Sequence, residues 1–399
     1  VVTKTLQFDD DEDNENPDES SAAARPELEV PFIPVTMSFH DICYDVSAST
    51  GSNKLRLLNN VNGLFRPGRM VALMGTSGAG KTTLMDVLAL RKRTGEISGD
   101  IRLNGWPQDP ISFRRASGYV EQFDVQSPEL TVKETVLFSA RLRLQQDLIE
   151  EEADVDAFVD RVLEAVELQH LHRALVGTDD GMGLSFEQKK LLSIAVELAA
   201  SPSIIFLDEP TSGLDSRSAM KVVKTLRKIS DQNRTICATI HQPSSAVFDM
   251  FNDLLLLKKG GNVVFHGELG DRSSNLVEYL ESEGAPKMEY GENPANWMLN
   301  VMALDHLEDL DQRWLKSKQF EKMKHELASI YTNRPDDATK IQFDEEFAAS
   351  RGKRRSLITK RLRLIYWRSP NYNLARMTVS ALIAFILGSV FIVKRSQTR

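Results

Sequence analysis

Short, unbroken apolar runs recur along the chain at 35–46, 55–65, 70–74, 97–103, 117–121, 203–208, 235–240, 253–257 and 262–266. Their length and β-branched content predict strands. Between them, apolar residues recur every three or four positions at 84–90, 132–144, 155–168 and 217–229, which predicts helices. Thr131-Val132-Lys133-Glu134 has the form of a capping box and marks one helix start. Strands alternating with helices imply an α/β fold with a largely parallel sheet. The first two runs flank a turn-rich stretch at 47–53, so a β-subdomain is expected ahead of that sheet.

The run 70–74 leads directly into Gly75-Thr76-Ser77-Gly78-Ala79-Gly80-Lys81-Thr82-Thr83, and a predicted helix follows. This is the Gly-x4-Gly-Lys-[Ser/Thr] phosphate-binding loop in the strand–loop–helix context it requires. Its glycines let successive N–H groups and the helix N-terminus converge on the phosphates of ATP. Lys81 adds a positive charge, and Thr82 offers a hydroxyl to Mg²⁺. A second apolar run, 204–207, ends in Asp208 and Glu209. One carboxylate is then expected to hold Mg²⁺ and the other to polarise the attacking water. Glu209 standing before Pro210 also suits a helix-capping acid.

The pattern changes beyond residue 300. A charged, helix-prone connector runs to about 350. Positions 351–368 then hold eight basic and no acidic residues, with Ile358, Leu362 and Ile365 at helical spacing. That describes a basic amphipathic helix at a membrane surface. Residues 377–393 carry no charge and span about 25 Å as a helix, slightly short of a hydrocarbon core of ~30 Å. Leu374, Ala375 and a snorkelling Arg376 extend the segment. The alternative is a buried core helix, which the adjoining basic helix and Trp367 disfavour. The basic excess before the span puts the N-terminal side in the cytoplasm.

Charge changes the picture once located. The net −8 resides in the eight acidic residues of 9–19, and the remainder is neutral, so nothing suggests a nucleic-acid partner. Residues 1–30 are too polar to fold alone and are read as a disordered acidic linker. The two cysteines, Cys43 and Cys237, lie in strand-like runs with no zinc spacing, which fits a reducing cytosol. The chain begins with Val1, so a fragment or processed piece is expected.

With these pieces in order, the sequence resembles an ATP-binding cassette (ABC) ATPase over residues 35–300. Glu209-Pro210-Thr211-Ser212-Gly213-Leu214-Asp215 matches the stretch from the second carboxylate to that family's D-loop, with Asp215 the D-loop acid. The resemblance implies Gln122 as the Q-loop glutamine and a metal ligand beside Thr82 and Asp208, and His241 as the γ-phosphate sensor. It implies Tyr44 as an adenine-stacking aromatic, although packing in the core is an equal reading of that residue.

Asn293-Pro294-Ala295-Asn296-Trp297, and a cassette preceding its membrane span, look like the G subfamily. The stretches 183–200 and 210–215 are similar to the second cassette of pleiotropic-drug-resistance transporters. The expected organisation is a nucleotide-binding domain over 31–300 with antiparallel β and helical subdomains, a connector over 301–350, a juxtamembrane helix over 351–370, and the first transmembrane helix over 374–393. A second cassette and further membrane helices are the implied partners.

One departure stands out. The family's signature is usually Leu-Ser-Gly-Gly-Gln, and this chain has Leu184-Ser185-Phe186-Glu187-Gln188. In the resemblance that loop presses on the phosphate held by the opposite cassette, so bulk at 186 and negative charge at 187 oppose anion binding. The expectation is an asymmetric pair, with this chain's phosphate loop completed by a partner's intact signature. The readings that compete are a regulatory nucleotide-binding half with little hydrolysis, and a soluble ABC-type ATPase.

Overall fold

A computed structural model of the chain describes residues 32–47, 54–144, 152–178, 183–332 and 340–397. The acidic stretch 1–30 and most of the turn at 47–53 lie outside the described residues.

Strands β1 (Met37–Ser47) and β2 (Lys54–Phe65) pair antiparallel, with Met37 opposite Phe65. β3 (Met70–Gly75) leads into helix α1 (Lys81–Leu88). β4 (Glu96–Leu103) pairs with the free side of β1, and the two-residue β5 (Trp106–Pro107) closes a four-stranded antiparallel sheet ordered β2-β1-β4-β5.

The second sheet is organised on β3. Together with β6 (Ser117–Val120), β7 (Ile204–Leu207), β8 (Thr235–Thr239), β9 (Asp253–Lys258) and β10 (Asn262–Glu268) it is ordered β10-β9-β3-β8-β7-β6. Neighbours are parallel from β9 through to β6, and β10 runs antiparallel on the edge. Both faces of such a sheet are covered, which is why β3 and β7 read as continuous apolar runs and every residue in them is buried. The C-terminal ends of β3, β7 and β8 open on the same edge, where ligand sites of parallel sheets form.

Helix α2 (Pro110–Ala116) precedes β6. Helices α3 (Val132–Arg143), α4 (Glu152–Ala165) and α5 (Phe186–Leu198) form a layer of their own, packed through buried Val136, Phe158 and Leu191. α6 (Ser216–Ser230) and α7 (Ser245–Phe248) connect β7 to β8 and β8 to β9, and α8 (Ser274–Ser282) and α9 (Pro294–Val301) follow β10.

The charged stretch beyond Val301 packs onto the same core. In α10 (Leu310–Trp314) the Trp314 ring is 1% exposed and lies 5.7 Å from Phe265 and 5.6 Å from Tyr279. In α11 (Lys318–Thr332) Met323 and Leu327 are buried, and Glu326 pairs with Arg66 at the end of β2. These helices bury one apolar stripe each and expose the charges that dominate their composition.

Helix α12 (Arg351–Arg368) lies along α3. Arg368 makes a bidentate pair with Glu134 at 2.6 and 2.9 Å, and the Arg361 guanidinium sits 4.4 Å over the Phe138 ring. Part of the basic run is therefore taken up by protein. Ile358, Leu362 and Trp367 remain exposed on other faces. α13 (Pro370–Gln397) follows, and its segment 373–391 has a mean hydropathy of 1.9 with no part buried. Among the described residues it is the one helix long and apolar enough to cross a membrane.

Candidate active site

β3 delivers Gly75 to the sheet edge in a conformation, φ +151°, where an added Cβ would stand 2.1 Å from the Leu257 carbonyl oxygen. A side chain at 75 would push the loop off β9. The chain then curls through Ala79, whose N–H donates to the Thr76 carbonyl, and enters α1 at Gly80 with φ +94°. Gly80 caps α1 with no side chain, so the first amides of the helix face the cleft without an intrahelical acceptor.

Lys81 Nζ donates to the carbonyls of Gly75 and Thr76 at 2.9 and 3.2 Å, folding the ammonium back over its own loop. Burial lowers its pKa, against the opposing pull of Glu209 and Asp208. A cleft of about 440 Å³ is lined by Gly78, Lys81, Thr82, Thr83, Glu209 and His241.

The two carboxylates reach this cleft from the end of β7. The Asp208 N–H donates to the Val120 carbonyl, and Asp208 Oδ1 accepts from the Thr82 hydroxyl at 3.4 Å. Thr239, the last residue of β8, donates its hydroxyl to the same Oδ1 at 2.7 Å and accepts the Glu209 N–H at 2.7 Å. Glu209 has φ +44°, a left-handed conformation uncommon for a side-chain-bearing residue. Gln122 Nε2 donates to Glu209 Oε2 at 3.1 Å, so the glutamine rests on the carboxylate of Glu209.

His241 is exposed just past β8. The loop after it is pinned by Asn293, whose side-chain amide donates to the Pro243 carbonyl at 2.8 Å while its oxygen caps α9. That contact gives the Asn293-Pro294 pair a physical role in placing the histidine loop.

The signature segment starts α5. Leu184 is buried, and Ser185 and Gln188 form a reciprocal capping box. Phe186 stands 69% exposed at the helix start. Glu187 is paired with Lys221 of α6 at 2.8 Å, and that ammonium, with the Ser218 hydroxyl, holds its carboxyl below the usual carboxylate range. The negative charge is thus largely answered within the chain, and the bulk of Phe186 is the larger departure. Asp215 caps α6 by accepting the N–H groups of Arg217 and Ser218, which lower its pKa.

Ser77, Gly78, Gly80, Lys81, Thr82, Thr83, Glu209 and His241 line one cleft, Gly75, Thr76 and Ala79 belong to its loop, and Gln122 and Asp208 are bonded to its walls. Leu184, Ser185, Phe186, Glu187, Gln188 and Asp215 form a separate surface at the starts of α5 and α6. Tyr44 belongs to neither group. It is 3% exposed, its hydroxyl donates to the Thr94 carbonyl at 2.8 Å, and an added Cβ on Gly95 would meet its ring at 2.7 Å. A ring so enclosed offers no face to an adenine. Thr239 carries site geometry that the sequence pattern does not mark, and Asn293, marked there only by subfamily resemblance, pins the histidine loop. The one available signal was Thr239's place two residues before His241.

The layered sheets and phosphate loop form the P-loop fold of ABC type. Residues 58–212 match the family model described as ABC transporter, and residues 241–354 match the one described as ABC-2 type transporter. The chain is 45% identical over 374 residues to ABC transporter G family member 31 of Arabidopsis thaliana, covering 91% of this chain and 26% of that protein. It is 44% identical over 373 residues to ABC transporter G family member 38 of Oryza sativa subsp. japonica, covering 91% and 25%. An ATP-binding cassette of an ABC transporter, solved in its ADP conformation, aligns with a TM-score of 0.50 at 20% identity over 61% of this chain and 94% of its own. That last likeness speaks to the fold alone. Over some 370 residues the chain is thus similar to ABC transporters of the G family. It spans about a quarter of the length of the curated relatives it matches.

Proposed function

We propose that this chain hydrolyses ATP to drive export of amphipathic small molecules, as the second cassette and first membrane helix of a pleiotropic-drug-resistance type transporter. The observation that carries the hydrolytic reading is the Glu209 carboxylate. It is set at the edge of the phosphate cleft by Thr239 and contacted by Gln122.

The residues fit a nucleotide. Gly75 and Gly80 let the loop sit close against Leu257 and Leu57, where a Cβ would collide, and the open amides of α1 point to the cleft. On binding, Lys81 exchanges its two loop carbonyls for phosphate oxygens. The Thr82 hydroxyl and Asp208, already 3.4 Å apart, would hold Mg²⁺, with Gln122 beside them. When bound, the ion neutralises charge on the phosphates. Glu209 then releases Gln122 and accepts a proton from the attacking water at Oε2, and His241 faces the γ-phosphate from the other wall.

The exposed Phe186 supports an asymmetric pair of sites. This phosphate loop would be completed by the intact signature of a second cassette, and the remaining membrane domains would bind the cargo. The cassette would lie on the cytoplasmic side of a multi-pass membrane protein, organised along the boundaries expected from the sequence.

The test uses the full-length transporter. Glu209→Gln should retain ATP binding and lose most hydrolysis and transport, and Lys81→Ala should weaken binding as well. Unchanged turnover in Glu209→Gln would remove that residue from the general-base role. ATPase stimulation across a panel of amphiphiles would identify the cargo class.

A further inference from the structure

α5 begins with the signature, but its most constrained side chain lies two residues beyond Gln188. Lys190 is 3% exposed. Its Nζ donates to the Gln122 carbonyl at 2.9 Å and the Glu121 carbonyl at 3.1 Å, and stands 3.0 Å from Asp124 Oδ1. Two carbonyls accept its hydrogen bonds, and the Asp124 carboxylate supplies the counter-charge. A buried ammonium is tolerated only when paired and hydrogen-bonded in this way, and removing one partner leaves the others unsatisfied. The backbone of 121–124 is therefore clamped to α5, while Phe123 and Val125 point outward, 77% and 84% exposed.

The clamped residue is the one that touches the catalytic carboxylate. The Gln122 carbonyl is held by Lys190, and its side-chain amide lies 3.1 Å from Glu209 Oε2. At the start of the same helix, Glu187 is tied to Lys221 on α6. A displacement of α5 is thus delivered to Gln122 through a three-point contact instead of being absorbed by a flexible loop.

We propose that Lys190 is a positioning residue that sets the Gln122–Glu209 contact, making hydrolysis at this phosphate loop responsive to the position of this chain's own signature helix. The inference rests on the ATPase reading above for its kinetic consequence. Its structural half stands apart from that reading. Lys190 is not among the residues that line the phosphate cleft, so it should act on turnover and leave nucleotide affinity in place.

The experiment compares the full-length protein with Lys190→Met and Asp124→Asn by steady-state ATPase, ATP binding, and hydrogen exchange read by mass spectrometry. Lys190→Met should lower kcat about 10- to 100-fold, the scale of a small misplacement of a catalytic group, with KM within about twofold. Exchange at 121–125 should accelerate while the loop at 75–83 is unchanged. Asp124→Asn keeps both carbonyl bonds, so it should lower kcat less, in the same direction and with KM held, and it decides the matter if Lys190→Met does not fold. Unchanged kcat in both variants, or KM rising in step with any fall in kcat/KM, would overturn the proposal, as would unchanged exchange at 121–125. If the wild type proves not to turn over ATP, the ATPase reading fails by itself. Faster exchange at 121–125 with retained ATP binding would still support the clamp.

Discussion

The Thr239 hydroxyl donates to Asp208 Oδ1 across 2.7 Å, at a point where neither residue has appreciable contact with water. The Thr239 hydroxyl oxygen in turn accepts the Glu209 N–H, so one side chain on β8 fixes both acids at the end of β7. This supports the left-handed backbone at Glu209, which would otherwise relax toward ordinary conformations.

Thr239→Val keeps the shape of the side chain and removes the hydroxyl. It leaves a buried carboxylate oxygen and a backbone N–H each short of a partner, so stability should fall by about 1–3 kcal/mol. Turnover should fall as Glu209 loses its register, with ATP binding largely kept. Thr239→Ser should restore most of both. Chemical denaturation and steady-state kinetics on the full-length protein check the pair of effects.

The signature gives a prediction that separates bulk from charge. Glu187 is already paired with Lys221, whereas Phe186 stands in the open. Phe186→Gly should therefore raise partner-dependent ATPase more than Glu187→Gly, which also cuts the tie between α5 and α6. Glu187→Gly giving the larger rise in turnover would show that charge is the block.

How far the sequence reached follows from what kind of signal each residue sends. The phosphate loop, the carboxylate pair and both capping boxes are local, and Thr131 with Glu134 and Ser185 with Gln188 are bonded as their spacing implies. Strand order in the sheets depends on contacts between distant segments, which spacing does not encode. Lys190 is not legible because a lysine in a helical pattern reads as solvent-facing, and its burial depends on carbonyls some 70 positions away. Thr239 reads as an ordinary β-branched strand residue. Trp314 lies in a stretch whose average is charged, and the basic run of α12 reads wholly as a membrane-facing surface because the partners of Arg361 and Arg368 lie on α3 and in the loop before it.

The Glu134–Arg368 pair makes the docking of α12 pH-dependent. The Arg368 guanidinium, foremost, holds the Glu134 carboxyl below its usual range. A carboxylate with a lowered folded-state pKa contributes stability above its unfolded value, about 4.3, and loses it as pH falls through the folded one. Hydrogen exchange in α12 should be flat in opening free energy from neutral pH to about 4.3 and should rise below that. Glu134→Gln should show the looser docking at every pH, with that acid-induced step removed. An acid step of equal size in Glu134→Gln would assign it to other carboxylates.

The remaining prediction concerns α13. Its segment 373–391 is about 28 Å long as a helix and no part of it is buried, while Tyr366 and Trp367 at the end of α12 sit just before it and Tyr366 accepts from Arg376. Aromatic rings and arginines at the head of an uncovered apolar helix suit a membrane–water boundary. The full chain should therefore partition into membranes and require detergent once extracted, and a version ending before Arg351 should lose that requirement while keeping nucleotide binding. In sealed vesicles, protease added on the cytoplasmic face should reach the segments before α12. A full chain that stays monomeric in buffer without detergent would mean that another part of the protein covers α13. The soluble-ATPase reading would then gain ground.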